Sequence, residues 1–272
     1  MTDGAREDLE AGTGSSTAIL RTVVGSVLRP LGGWMTARGA VELLAALDIP
    51  ASTARSSLAR LCTRGVLVRA PHGSVAGYAL DPAAIPMLER GDARIFGERA
   101  PATDRWCLLS FSFPEHRRGR RHQARRRLAA LGCGTVADGL WIAPARLEHE
   151  LVAALGELGA DATDASLFAD ARLRGDLATE LARWYDLRRI RAAHEAFLHG
   201  FADVGIPGDD REAFALWMRA LDQWRVIPYL DPGLPASALP ADWPAPASAA
   251  LFADLRGALS ERALAHARAV AT

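Results

Sequence analysis

The stretch IPASTARSSLARLCTRGVLVRAPHGSVAGYAL, from Ile49 to Leu80, decides how the first part of this chain is read. Asp48-Ile49-Pro50 makes a turn, because proline fixes its own φ and moves the residue before it out of the helical region. From about Ser52 to Arg64 the apolar residues Ala54, Leu58, Leu61 and Cys62 recur at helical spacing. Ser52 is expected to cap this helix with its hydroxyl. Thr53, Arg55, Ser56, Ser57, Arg60 and Arg64 then face outward, and Gly65 suits the position just past the helix end. Val66 to Ala70 and Gly77 to Leu80 read as two short strands around the polar tip Pro71–Ala76. Turn, Arg-bearing helix and hairpin, in that order, form the pattern of a winged helix-turn-helix. In that motif one helix enters the DNA major groove and the wing touches backbone.

The flanking sequence agrees. Thr17 to Val27 carries Ile19, Leu20, Val23, Val24 and Val27 at helical spacing, and Arg29-Pro30 ends that helix. Gly32-Gly33 permits a tight turn before Trp34. A second helix runs from about Ala37 to Leu47, with Val41, Leu44 and Leu47 inward. Asp81-Pro82 opens a further helix reaching about Ile95. Arginine pairs with guanine O6 and N7, and Ser or Thr reaches base edges or phosphate. The candidate DNA-reading residues are therefore Ser52, Thr53, Arg55, Ser56, Arg60 and Arg64, with Arg69 and His72 on the wing. The alternatives are an ordinary solvated helix face and a simple exposed hairpin.

A second unit begins at Trp106. WCLLSFSF (Trp106–Phe113) reads as a buried strand and Glu115 to Leu131 as an Arg-dense helix. Cys133–Ala137 and Leu140–Ala143 are strands about the Asp138-Gly139 turn. Leu147–Leu158 reads as a helix and Thr163–Asp170 as a last strand. The order βαββαβ is that of a ferredoxin-like fold. The remainder is helical near 176–203, 209–224 and 247–270, interrupted by a connector from Pro228 to Pro246 too rich in proline for regular structure. The expected spans are a disordered tail over 1–16, a DNA-binding domain over 17–98, a central domain over 103–174 and a helical domain over 176–272.

Composition sets the remaining bounds. With 272 residues, half of them hydrophobic, the chain can build two or three cores. Its net charge is zero but unevenly spread. Residues 15–100 hold ten Arg against six acids, and residues 176–272 ten against thirteen. A basic N-terminal half on a neutral chain suits a local anionic partner. Every basic side chain is Arg, which with the abundant Ala reads as the mark of a GC-rich genome, so Arg counts alone carry little weight. Cys62, Cys107 and Cys133 form no CxxC pair and read as small core residues. No apolar run is long enough to span a membrane, and the acidic start lacks a signal-peptide core, so a cytoplasmic protein is expected.

Other charged and aromatic groups admit two readings each. The run Arg117, Arg118, Arg120, Arg121, Arg125, Arg126 and Arg127 could meet DNA, ligand or a partner subunit, or could be a solvated face. Trp184 and Tyr185 with Arg188 and Arg189, and Trp224, suit an aromatic acid or its thioester. More often, such residues are simply the core of a helical bundle. Hydrolase, metalloprotease, P-loop and dinucleotide motifs are all missing from the sequence, so no enzyme, cofactor or metal is expected.

Five segments carry a family resemblance: RPLGGWM (Arg29–Met35), TARSSLARLCTRGVLVR (Thr53–Arg69), RWCLLSFSFPEHRR (Arg105–Arg118), LGCGTVADGLWIAP (Leu131–Pro144) and YLDPGLPASALPADWP (Tyr229–Pro244). In this order they resemble the PaaX-type transcriptional repressors, named for control of phenylacetate breakdown. The resemblance implies a winged helix, a ferredoxin-like middle domain similar to the small nuclease-like subunit of CRISPR spacer integration, and a helical C-terminal domain. It also implies an acyl-CoA effector that releases the operator. The nuclease-like subunit carries an Asp near the end of its first strand. Here that place reads Ser110-Phe111-Ser112, which puts metal-dependent cleavage in doubt. The expectation is an α+β homodimer that represses from a palindromic double-stranded DNA operator and responds to a small molecule. A nuclease or RNA-processing role for the central domain and a protein-binding scaffold are the alternatives.

Overall fold

A computed structural model describes residues 13–97, 104–113, 118–157 and 165–271. Most of the expected N-terminal tail, Arg117 and the start of the expected last strand lie outside the described residues. The chain is a mixed α+β protein with two small antiparallel sheets. It divides into two compact units. Among the described residues no helix is long and apolar enough to cross a membrane.

The first unit joins Glu10–Ile95 to Ala196–Val226 and Pro246–Thr272. Helix α1 (Ser16–Val23) starts at Ser15, whose hydroxyl accepts from the Ala18 amide at 3.2 Å. It continues as a π turn over Val24–Leu28. Strand β1 (Trp34–Thr36) follows, then α2 (Ala37–Ala45), α3 (Ala51–Thr63), β2 (Leu67–Arg69), β3 (Gly77–Leu80) and α4 (Ile85–Phe96). The sheet order is β1-β3-β2, with Trp34 opposite Ala79 and Leu67 opposite Leu80. The sequence reading has no strand at Trp34–Thr36. Three residues give too short a run for alternation to show, and the strand exists because β3 offers it a free edge.

Two later helices complete this unit. Asp209 caps α9 (Asp210–Trp224) by accepting from the Arg211 amide at 2.7 Å, and α10 spans Ala245–Ala271. Leu20, Leu43, Leu58, Phe214, Met218 and Leu259 are fully buried. A polar network sits beside them. Asp222, Arg225 and Thr22 are all buried. The Thr22 hydroxyl and the Arg225 Nε both donate to Asp222 Oδ1 at 3.0 Å, while Asp222 Oδ2 accepts from the Gly14 amide at 2.7 Å. This network fastens α1 to α9. Gly39 in α2 lies so close to the end of α10 that a Cβ would come within 2.5 Å of the Ala271 Cα, so only glycine fits.

The second unit comprises Phe96–Glu195 and Ile227–Ala245. Its elements are β4 (Trp106–Phe111), α5 (Arg118–Ala130), β5 (Gly134–Ala137), β6 (Leu140–Pro144), α6 (Glu148–Glu157), β7 (Ala165–Ala171) and α7 (Leu177–Trp184). The first turns of α8 (Leu187–Phe201) also belong to it. The strands are ordered β5-β6-β4-β7 and every neighbouring pair is antiparallel. Alternation along β4 sends Cys107, Leu109 and Phe111 to one face, where Ala124, Leu128 and Leu151 of α5 and α6 cover them. Trp106 and Ile142 join the opposite cluster with Leu181, Tyr185 and Leu234. The single helix expected over 176–203 is two helices, because Tyr185 is extended (φ −124°, ψ 144°) and its ring is drawn onto the sheet.

The proline-rich segment is not wholly irregular. It contains a helical turn at Ile227–Leu230 and a 3₁₀ turn at Ala236–Ala238. Asp231 anchors it. Its carboxylate lies 2.9 Å from the buried His194 Nε2 and accepts from the amides of Gly233 (2.8 Å) and Leu234 (3.3 Å). Arg146 Nε donates to the Pro232 carbonyl at 2.7 Å.

The buried Asp222–Arg225 pair yields a stability test. Asp222→Ala removes the carboxylate facing Arg225, whose side chain is only 4% exposed. Loss of about 3–5 kcal/mol in chemical denaturation is expected.

Candidate nucleic-acid interface

Helix α3 sorts its side chains by face. Ala54, Ser57, Leu58 and Leu61 are buried, whereas Thr53, Arg55, Ser56, Arg60 and Arg64 are exposed. Cys62 is only half-buried, so the apolar stripe is narrower than its spacing implied. Burial still raises its thiol pKa, with nearby Arg69 opposing. The helix bears no acidic residue. Among the described residues neither Arg55 nor Arg64 has a carboxylate partner. Arg60 donates from its guanidinium Nη1 to the Thr17 hydroxyl of α1 at 3.3 Å, which ties the head of this side chain to α1.

Two expectations need correction. Ser52 does not cap α3. The helix begins one residue earlier, Pro50 occupies the cap position without a side-chain bond, and the Ser52 carbonyl instead accepts from the Ser56 hydroxyl at 3.0 Å. Proline's fixed φ serves the entry into the helix, so a hydroxyl is not needed to set it. Ser57 does not face outward. It is fully buried, donates to the Ser16 hydroxyl at 3.2 Å and lies 3.4 Å from that of Thr17. α1 packs across α3 at this point, which a single helix's spacing cannot reveal.

The hairpin after α3 is short and closed. His72 and Val75 exchange both backbone hydrogen bonds at 3.0 Å around Gly73-Ser74. Gly73 has φ +60°, which suits glycine at the first central position of a two-residue hairpin turn. Arg69, His72 and the tip residues are exposed. Trp34 of β1 touches three parts of this hairpin. Its Nε1 donates to the Ala70 carbonyl at 2.6 Å. Its ring lies over Gly77, where a Cβ would come within 2.6 Å of Cε2. It stacks on the His72 imidazole with centroids 4.1 Å apart and planes 7° off parallel. The sequence reading used Trp34 only to mark the end of a turn; an aromatic so close to Gly32-Gly33 was the available signal.

The remaining candidates are spread over both units. In the second unit Trp184 meets Trp106 edge-on at 6.0 Å. Tyr185 is buried and donates to the Ile142 carbonyl at 3.0 Å; burial holds its hydroxyl well above the ordinary phenol range. Arg188 and Arg189 are exposed on α8. Trp224 belongs to the first unit, stacked on Phe252 at 4.5 Å and close to Phe197, with its Nε1 donating to the Ile95 carbonyl at 3.3 Å. On the Arg-rich helix, Arg125 pairs with Asp138, Arg127 with Glu157, and Arg121 donates to the Phe113 carbonyl at 2.6 Å. All three of these bonds are made within the second unit. Among the described residues no group of three or more His, Cys, Asp and Glu could hold a metal.

Comparison with known families matches the chain in three consecutive stretches. Residues 15–83 match the family described as PaaX-like protein, 99–181 the PaaX protein central Cas2-like domain, and 185–269 the PaaX-like protein C-terminal domain. Among solved structures, an uncharacterized protein from Mycobacterium tuberculosis superposes with a TM-score of 0.60 at 24% identity. The match covers 90% of this chain and 97% of that one, so the two share a fold. No curated protein matches.

Ser57 gives this interface a direct check. Ser57→Ala removes a buried hydroxyl bonded to α1, and a loss of about 0.5–1.5 kcal/mol in unfolding free energy is expected. Ser57→Leu, which forces α3 away from α1, is expected to cost more in the same measurement.

Proposed function

Because the chain belongs to the PaaX family, matching its three parts in order from residue 15 to 269, we propose that it is a transcriptional repressor that binds DNA and responds to a small molecule. The observation that carries this reading is the face of α3. Thr53, Arg55, Ser56, Arg60 and Arg64 stand exposed on a helix free of acids, while the opposite face is packed on its own unit. The first unit's helices and its β1-β3-β2 sheet support a winged helix-turn-helix with α3 as the recognition helix. The strand order β5-β6-β4-β7 supports a ferredoxin-like central domain.

In this reading α3 enters the major groove and Arg55 reads base edges, guanine O6 and N7 being the natural acceptors. The uncapped N-terminus of α3 directs free amides toward phosphate. Arg69 and His72 meet backbone and set register without naming bases. A twofold dimer places two such helices about one DNA turn apart, or a multiple, on a palindromic operator. The effector is a small molecule, of the acyl-CoA thioester class or a related one. It shifts the population toward a form in which the half-site spacing no longer fits, and so must bind the two forms with different affinity. The protein acts in the cytoplasm without catalysis, cofactor or metal.

The test starts from duplexes selected from a random pool by the full chain. Arg55→Ala is expected to cost about 1–3 kcal/mol on the selected duplex and to relax preference at one position per half-site. Arg69→Ala is expected to weaken specific and random duplexes alike. Equal losses on both duplexes for Arg55→Ala would remove Arg55 as a base reader. Titration of candidate thioesters into the complex tests the effector class, and no release by any of them removes it.

A further inference from the structure

We infer that Trp34 is a positioning residue for DNA contact, bracing the wing so that His72 is presented edge-on to the DNA backbone. The inference rests on the DNA-binding reading and adds a residue to it. Trp34 lies outside the hairpin, on β1, yet its one side chain engages both strands and the tip. The indole N–H ties it to Ala70 at the end of β2, and its ring fills the space that glycine leaves at position 77 on β3. Its face then covers one face of the His72 imidazole in a near-parallel stack.

The geometry leaves the edge of the His72 ring open. A stacked imidazole keeps both ring nitrogens in its plane, and hydrogen bonds to those nitrogens run in that plane. Covering a face therefore does not block the ring edge, and His72 remains exposed. Without Trp34 the imidazole would rotate freely at the mouth of a two-residue turn. With Trp34 its orientation is settled before DNA arrives, so less side-chain freedom is lost on binding. The indole contributes no charge and need not touch DNA. Its effect on binding passes through His72.

That dependence is the test. The full-length chain is bound to the selected duplex as Trp34→Leu, His72→Ala, the double variant and Trp34→Phe. Affinity at fixed salt and hydroxyl-radical footprints are measured. Trp34→Leu and His72→Ala are each expected to weaken binding about tenfold at fixed salt. Each should lose backbone protection at the wing position while keeping protection in the major groove. The double variant is expected to be no weaker than either single one, because both changes remove the same contact. Trp34→Phe, which keeps a stacking face, restores most of the footprint. Amide exchange in the DNA-free chain guards against a misfolded variant: Trp34→Leu should speed exchange at His72 and Val75 and leave α2 and α3 protected. A full wing footprint in Trp34→Leu, or losses that add in the double variant, would overturn the inference alone. A wild-type chain that selects no DNA sinks the repressor reading, and this inference with it.

Discussion

One carboxylate joins the first helix of the chain to a helix of its last quarter. Asp222 on α9 accepts from Thr22 on α1, from Arg225 and from the Gly14 amide, and all three side chains are shut away from water. A buried charge is tolerated only when its lone pairs are met, so these groups must arrive together. Thr22 and Asp222 are 200 residues apart. Closing that separation brings α1, which braces α3 through Ser16 and Thr17, onto helices from the last quarter of the chain. The orientation of α3 therefore depends on a contact far from it in sequence.

The same economy of contacts recurs elsewhere. Asp231 serves the second unit as Asp222 serves the first, taking His194 and two amides and so fixing a segment that proline keeps out of the sheets. Gly39, Gly77 and Gly132 each admit a close neighbour: the end of α10, the Trp34 ring and the Tyr229 carbonyl respectively. These glycines let distant segments touch. In each unit, regular elements supply the apolar core while a few buried polar groups and glycines choose which elements meet.

Much of this was legible beforehand because local rules dominate it. The helical spacing of Ala54, Leu58 and Leu61 gave α3, and the exposed placement of Arg55, Ser56 and Arg60 follows from the same period. Asp138-Gly139 gave the β5–β6 turn, with Gly139 at φ +77°. Where reading failed, a tertiary partner had overridden the local signal. Ser57 is polar and looked outward, but the hydroxyls of α1 receive it. Residues 176–203 look like one amphipathic helix, but burial of the Tyr185 ring against Ile142 breaks them into two. β1 is too short to announce itself and depends on β3.

By itself, the sequence determined most of the longer helices and strands, which face of α3 is polar, and, through five ordered motifs, the family. Those properties follow from periodicity, turn chemistry and residue type, all of them short-range. Tertiary structure alone decided that α9 and α10 belong with the N-terminal helices and that Trp34 lies against His72. Each of these is a pairing between residues far apart in the chain. The free energy of burying apolar rings and satisfying buried charges selects among such pairings, and no local pattern records which one wins.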